Sequence, residues 1–348
     1  MVKDQKIPSQ LRQDPVSGDW VVIATQRAKR PDDFFKKKPA KGPAKKNPKK
    51  ECIFCQITSR ETPILTQFNG KEVAPRAKNW TVAVVNNKYP AFAPSPNINR
   101  QKTGPYQTMN GVGRHELVIF KDHHRRLDQM KVEEILEILE IYQKRYLALS
   151  KQAHIKYVAI FHNEGRDAGA SIDHPHSQII AIPTLDTDIR TSLKGAQKFW
   201  QKNNHQCPYC AMIKHNLKNK ERVIWENKEF IACCSFAPKS AFEIKIYPKK
   251  HQSHFEKTSH SQMVSLAKTF KIVLTAVRRG LGDPDYNFFL QTAPCDSKKY
   301  QYFHWYWQIQ PKNQVWGGFE LGTEIEISTI SPEDAAKHLR KQIEVSKN

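Results

Sequence analysis

Traced through its apolar and polar positions, the chain makes one pattern and then makes it again. Residues 115–120, His-Glu-Leu-Val-Ile-Phe, form a strand-like run that leads through Lys-Asp-His-His-Arg-Arg-Leu into a helical stretch. Leu127, Met130, Ile135, Ile138, Leu139, Tyr142 and Tyr146 fall on one face of that helix. Residues 242–247, Phe-Glu-Ile-Lys-Ile-Tyr, lead in the same way through Pro-Lys-Lys-His-Gln-Ser-His-Phe into a second helix, faced by Met263, Leu266, Ala267, Phe270, Val273, Leu274 and Val277. A pair of strands follows each helix: 157–163 and 174–182 in the first half, 286–292 and 303–310 in the second. This repeated strand, helix and strand-pair order predicts an internally duplicated α+β fold, divided into 1–195 and 196–348. At the far end, Ser331, Pro332, Glu333 and Asp334 read as the cap and first turn of a terminal helix.

Composition narrows the class. Apolar residues make up 39% of 348, enough for a buried core, while the longest apolar stretches, such as Ile179 to Pro183, are too short to cross a bilayer. Residues 1–10 lack the apolar core of a signal peptide, so a cytoplasmic protein with no membrane partner is expected. The net charge of +22 invites a nucleic-acid reading, but eight lysines sit within residues 36–50, and +14 remains without them. Interleaved Pro, Gly and Ala make that segment a solvated loop, and the basic background favours phosphate-bearing partners of any size.

Four of the seven cysteines form Cys52-x-x-Cys55 and Cys207-x-x-Cys210, which in a reducing compartment read as metal or redox pairs. Cys233, Cys234 and Cys295 lie in apolar surroundings and are expected in the core. Each Cys pair opens one half and has histidines at matching places. His123 to His174 is 51 positions, and His251 to His304 is 53. Cys52, Cys55, His123 and His174 therefore make one candidate structural zinc site, and Cys207, Cys210, His251 and His304 a parallel one. His115, His124 and His254 compete as third ligands; His115 begins its strand and fits worse, while His123 and His124 stay open on the residues alone. Structural zinc would add on the order of 10 kcal/mol to folding.

The stretch Asn163 to Gln178 concentrates the remaining chemistry. In an extended strand His174 and His176 project from one face about 6–7 Å apart, with Gln178 next in the row. Pro175 reinforces the extended backbone at His174. If His174 turns to zinc, its neighbour is held against a rigid point, and a neutral imidazole is a competent nucleophile toward phosphorus. Gly165 and Gly169, with Ala168 and Ala170, allow close backbone approach to a phosphate, and Ser171 supplies a hydroxyl donor.

These motifs resemble the histidine-triad superfamily and, within it, the galactose-1-phosphate uridylyltransferases. The likeness spans nearly the whole chain: residues 14–31, Cys52-x-x-Cys55, 86–92, the Asp-His-His-Arg-Arg-Leu stretch and 163–178. It implies two repeats, each an antiparallel sheet packed with helices. His174 becomes a zinc ligand, His176 the residue that carries a covalent nucleotidyl group, and Asp122-His123 matches the family's Asp-His, which selects His123. By the same match Arg27 and Arg30 meet sugar phosphate. Asn163, Gly169, Ser171 and Gln178 hold the α-phosphate and the His176 adduct, and Asn86 and Asn87 lie near the nucleoside. Family members pair as homodimers whose sites borrow residues from the partner.

Two departures matter. Tyr306 stands where a second nucleophile would be, so one active site per chain is expected. The family's sugar-binding Lys and Tyr are replaced in the 314–320 segment by Gln314 and Phe319, with Glu320 retained, a segment more like ADP-glucose phosphorylases. The expected reaction is ping-pong transfer of UMP from UDP-glucose to galactose 1-phosphate through uridylyl-His176. Its alternative uses the same histidine to phosphorolyse ADP-glucose or a dinucleotide polyphosphate. A non-enzymatic zinc protein holding nucleic acid through 36–50 is the third reading, and it leaves 163–178 without a purpose.

Overall fold

A computed structural model describes residues 9–27 and 52–345 of the chain. In chain order the strands are β1 (Gln10–Gln13), β2 (Trp20–Ile23), β3 (Leu65–Phe68), β4 (Lys71–Glu72), β5 (Val82–Asn86), β6 (Gln101–Thr103), β7 (Tyr106–Thr108) and β8 (Arg114–Phe120). They continue with β9 (Tyr157–Glu164), β10 (His176–Ile182), β11 (Val223–Glu226), β12 (Phe230–Cys234), β13 (Ile244–Pro248), β14 (Tyr286–Gln291), β15 (Tyr306–Pro311) and β16 (Glu326–Ser328). The helices are α1 (Ile57–Arg60), α2 (Val132–Ser150), α3 (Thr187–Lys202), α4 (Pro208–Asn219), α5 (His260–Leu281), α6 (Gly318–Thr323) and α7 (Pro332–Glu344).

Eleven strands form one sheet in the order β11-β12-β13-β15-β14-β9-β10-β8-β5-β3-β4. Read outward from its middle, each half has the same succession, β9-β10-β8-β5-β3 against β14-β15-β13-β12-β11, and every pairing is antiparallel. The fold is therefore α+β, with the duplication written into strand order. The halves meet at β9 and β14, where Phe161 lies opposite Phe289 and Asn163 opposite Asn287.

Local sequence sets the helices that cover one side. Ser259 and Gln262 cap α5 reciprocally, at 3.3 and 3.1 Å, and Gly282 ends it in a left-handed turn at φ 67°. In α7 the Ser331 hydroxyl accepts from Asp334 N–H at 3.1 Å, with Pro332 in the first turn, as the sequence predicts. The apolar faces of α2, α5 and α7 bury Ile135, Ile138, Tyr142, Leu266, Phe270 and Leu339 against Val118, Phe120, Ile160, Phe288 and Trp307. Each large side chain so buried contributes about 1.5–3 kcal/mol. None of the described helices is long and apolar enough to cross a membrane.

The opposite face is covered at its two ends. Phe54, Ile57 and Trp80 pack over Ala83, Val85, Leu117 and Ile119 of the first half. Residues of α3 and α4, among them Ile189, Leu193, Tyr209 and Ile213, pack over Ile231, Cys233, Tyr247 and Tyr306 of the second. Between these covers Phe161, Asn163, Gln178, Asn287 and Phe289 are only half-buried. The functional surface lies in this gap. Cys233 and Cys234 are buried as expected, whereas Cys295 is half-buried beside the Tyr146 hydroxyl at 3.2 Å.

Candidate active site

The Cys52–Cys55 turn precedes α1, His123 follows β8 and His174 precedes β10, so three chain segments converge. The Cys55 sulfur lies 3.1 Å from His123 Nδ1 and 3.6 Å from His174 Nδ1. Cys52 lies 3.5 Å from His174 Nδ1, and the two Nδ1 atoms are 3.2 Å apart. Ordinary Zn–S and Zn–N bonds arranged as a tetrahedron have edges of about 3.3–3.8 Å. The four groups therefore fit zinc. His174 donates its Nε2–H to the Phe120 carbonyl at 2.6 Å, which turns Nδ1 toward the cluster. Burial, then the neighbouring His123 and His176, pushes His174 down to about 4 against the bond to Phe120, keeping it in the neutral, ligating form.

The second half repeats the arrangement. Cys210 sulfur lies 3.4 Å from His251 Nδ1 and 3.7 Å from His304 Nδ1, and His304 donates Nε2–H to the Pro248 carbonyl at 2.9 Å. Phe120 and Pro248 are the last residues of the equivalent strands β8 and β13. Hydrogen bonding from Cys210, ahead of the His251 and His304 imidazoles, holds the Cys207 thiol well below its ordinary value. The other candidate ligands go elsewhere: His124 is exposed, His254 lies 3.2 Å from Glu256, and His115 donates Nε2–H to Gln178 Oε1 at 2.8 Å.

His176 begins β10, while His174 lies in the bend before it, so the pair is not two positions of one strand as the alternation predicts. Pro175 stands between them, and His174 is oriented by the Phe120 carbonyl rather than by the pleat. The Nδ1–H of His176 donates to the His174 carbonyl at 2.9 Å. That bond fixes the tautomer and leaves the lone pair on Nε2. Burial lowers its basicity, partly offset by the same carbonyl, and the Phe54 ring packs against it with centroids 5.0 Å apart.

Beside His176 runs the glycine-broken loop. Gly165 has φ 83° and ψ 166°, a region essentially restricted to glycine, and Gly169 has φ 89° and ψ 15°. A Cβ on Gly165 would stand 2.1 Å from Asp285 Oδ1. Asp285 in turn accepts from the Asp167 N–H at 2.7 Å, and the Asn287 amide donates to Asn163 Oδ1 and to the Ala168 carbonyl, each at 2.8 Å. Thus the second half holds the loop of the first. Ser171 is exposed at its end.

Gln178 joins this surface through His115, whose ring also lies 3.1 Å from the Asn87 amide nitrogen. Asn86, one residue earlier, is exposed opposite Glu116 and outside that set. Gln314 and Glu320 hydrogen-bond elsewhere, Gln314 with Ala241 and Ile327, Glu320 with the Gly317 N–H that opens its own helix. The Arg27 side chain, Arg30 and the lysine-rich segment 36–50 lie outside the described residues. Tyr306, the counterpart of His176, is buried among Tyr209 and Tyr247 with the Lys245 ammonium 5.3 Å from its ring centre. Sequence reasoning passed over His115 as an anchor for Gln178, and Asn287, Phe289 and Gln310 altogether. Alternation in 286–291 puts Asn287 and Phe289 on one face, but nothing local names their partners.

The model of the galactose-1-phosphate uridyl transferase N-terminal domain matches residues 1–185. The chain belongs to the galactose-1-phosphate uridylyltransferase family. It is thus an enzyme of the nucleotidyltransferase class. A second model, described only as a domain of unknown function, matches 112–348. The chain is 35% identical to an ADP-glucose phosphorylase of Arabidopsis thaliana over 341 residues, covering 95% of this chain and 92% of that one. It is 28% identical to a galactose-1-phosphate uridylyltransferase of Thermotoga maritima over 343 residues, covering 95% and 98%. A crystal structure of an Arabidopsis thaliana ADP-glucose phosphorylase with bound ADP-glucose superposes with a TM-score of 0.79 at 30% identity, covering 96% and 99%.

Proposed function

We propose that this family member moves a nucleoside monophosphate by a two-step reaction through His176. The observation that carries the reading is the imidazole tautomer: with Nδ1–H committed to the His174 carbonyl at 2.9 Å, the Nε2 lone pair is left for phosphorus. In the first step Nε2 attacks the α-phosphorus of a nucleotide sugar. A P–N bond forms, the bond from that phosphorus to the bridging oxygen breaks, and the sugar 1-phosphate leaves with the electron pair. In the second step an acceptor phosphate oxygen attacks the same phosphorus and the P–N bond breaks, returning His176.

Asn163, Gly169, Ser171 and Gln178 are proposed to hold the α-phosphate, Asn87 with Asn86 to border the nucleoside, and Arg27 and Arg30 to meet the sugar phosphate. Gln314 and Glu320 would serve a neighbouring subunit's hexose in a homodimer. The halves 1–195 and 196–348 are proposed as a catalytic repeat and one without a nucleophile. Zinc held by Cys52, Cys55, His123 and His174, and by Cys207, Cys210, His251 and His304, would brace the sheet. Within the first set His174 is oriented by the Phe120 carbonyl, and its own carbonyl in turn accepts the Nδ1–H of His176.

ADP-glucose as donor and inorganic phosphate as acceptor is the first reading, supported by the 35% identical phosphorylase and by Gln314 in place of the family's Lys. UDP-glucose with galactose 1-phosphate is the second, supported by the family model over 1–185 and the Thermotoga maritima relative. Incubation with each donor followed by intact-mass analysis separates them. An AMP adduct, absent in His176→Ala and discharged by phosphate, is expected. A UMP adduct discharged by galactose 1-phosphate would replace the first reading with the second, and no adduct from either donor would overturn both.

A further inference from the structure

We propose that His162 is a positioning residue for the nucleophile: a buried chain of side chains, Tyr142, Ser177, His162, Glu164 and Arg126, fastens the strand that carries His176 to the root of the glycine loop. This rests on nucleotidyl transfer through His176. His162 lies on the helix-covered face of the sheet, fully buried, with its ring stacked 4.9 Å from Phe288 and 6.0 Å from Phe120. An apolar side chain would fill that space with no hydrogen bond to satisfy. What an imidazole adds is direction.

The hydrogen bonds run in one sense. The Tyr142 hydroxyl donates to Ser177 Oγ at 2.5 Å, the Ser177 hydroxyl donates to His162 Nδ1 at 3.0 Å, and His162 Nε2–H donates to Glu164 Oε2 at 3.2 Å. With its proton on Nε2, the ring has both nitrogens in use. The other oxygen of Glu164 lies 3.5 Å from Arg126 Nε. Arg126 in turn donates Nη1–H to Asp283 at 2.5 Å and Nη2–H to the Pro284 carbonyl at 2.9 Å, which ties the chain to the turn before β14.

The ends of the imidazole matter for what they hold. Ser177 directly follows His176, and Glu164 directly precedes Gly165. Backbone pairing of β9 with β10 stops at His162 opposite Ser177, so His176 and the residues from Asn163 onward lie past its last rung. Away from each other both strands stay paired, His176 with Ile119 and Glu164 with Tyr286. His162 therefore bridges the two strands from beneath at the point where their ladder ends. The bridge sets the distance between His176 Nε2 and the loop before a donor arrives. Alignment of this kind is expressed in the chemical step, where a misplacement of about 1 Å costs on the order of 100-fold.

The test follows adduct formation from a nucleotide sugar by rapid quench in wild type, His162→Phe, Ser177→Ala and His162→Gln, each at a temperature where it is fully folded. The rate at saturating donor should fall about 10- to 100-fold in His162→Phe and Ser177→Ala, with the half-saturating concentration little changed. His162→Gln, which keeps a donor and an acceptor, should recover part of the loss. A histidine that only filled the core would lower the melting temperature and leave the saturated rate at its wild-type value; that result, or a change confined to the half-saturating concentration, overturns the proposal. If His162→Phe does not fold, Ser177→Ala decides by the same criteria. If wild type forms no adduct with any donor, the His176 reading has failed and the bridge is judged by amide hydrogen exchange in Ser177→Ala. Faster exchange in 164–169 and at 176–178 together supports it, and unchanged exchange in either segment overturns it.

Discussion

Gly165→Ala is the sharpest perturbation of the phosphate loop, because two independent costs meet at one atom. The backbone at φ 83° and ψ 166° is tolerated essentially by glycine alone, and holding alanine there costs about 1–3 kcal/mol. The new Cβ would also stand 2.1 Å from Asp285 Oδ1, so the carboxylate must swing away and surrender its 2.7 Å bond from the Asp167 N–H. A hydrogen bond to a charged group is worth about 1.5–3 kcal/mol. Together these come to about 3–6 kcal/mol if the loop keeps its shape. Gly169→Ala is the internal control: its φ of 89° is also left-handed, but its Cβ would meet nothing nearer than Asn163 Nδ2 at 3.7 Å, so only about 1–2 kcal/mol of strain is due. Urea unfolding gives the stabilities, and the rate of adduct formation reports loop geometry. Gly165→Ala should lose far more of both than Gly169→Ala. In a double-mutant cycle, Asp285→Ala should recover the steric part of the loss and leave the strain. Wild-type stability and rate in Gly165→Ala, or a cycle with no coupling to Asp285, would refute the reasoning.

Metal analysis should find two zinc atoms per chain, one for each Cys–Cys–His–His cluster. Cys52→Ser should lose one of them together with adduct formation, and Cys207→Ser one with adduct formation largely kept. A wild-type content near one removes the second site. Burial pushes the Glu326 carboxyl up to about 7 from an ordinary 4.5, so the fold prefers its protonated form. Stability tied to it is complete below pH 4.5 and falls as pH rises to 7, by on the order of 1–3 kcal/mol. Glu326→Gln should flatten that slope in melting curves taken across the window, and an unchanged slope counts against the assignment. Tyr142→Phe removes the 2.5 Å contact with Ser177 behind the His176 strand and should cost about 1 kcal/mol in urea unfolding; no loss would show the contact to be idle. Deleting residues 36–50 should leave turnover nearly intact, and a collapse of activity would give the lysine-rich segment a part in catalysis.

Much of the site was legible because its chemistry is carried by short motifs. Cys-x-x-Cys pairs and histidines at matching spacings of 51 and 53 positions predicted both clusters, with the family's Asp-His match selecting His123 over His124, and the structure gathers those eight residues into two. Apolar periodicity found α2 and α5 and the strands around them. The reading faltered where neighbours in space are remote in sequence. His115 was weighed only as a metal ligand because its partner, Gln178, is 63 positions away. Asn287 drew no attention because Asn163 is 124 positions distant. His174 was placed in a strand because alternation cannot register the bend that ends at His174, just before Pro175.

By itself, then, the sequence determined the repeated strand, helix and strand-pair order, the terminal helix and the chemical character of each cluster, since periodicity, turn residues and ligand types are local properties of the chain. Tertiary structure alone decided that β9 would pair with β14, that the second half would hold the first half's glycine loop, and that a gap would remain between the two covers. The strand pairing and the grip on the loop depend on hydrogen bonds between segments more than a hundred residues apart, the covers on packing between separate elements, and no local pattern of side chains specifies which edge meets which.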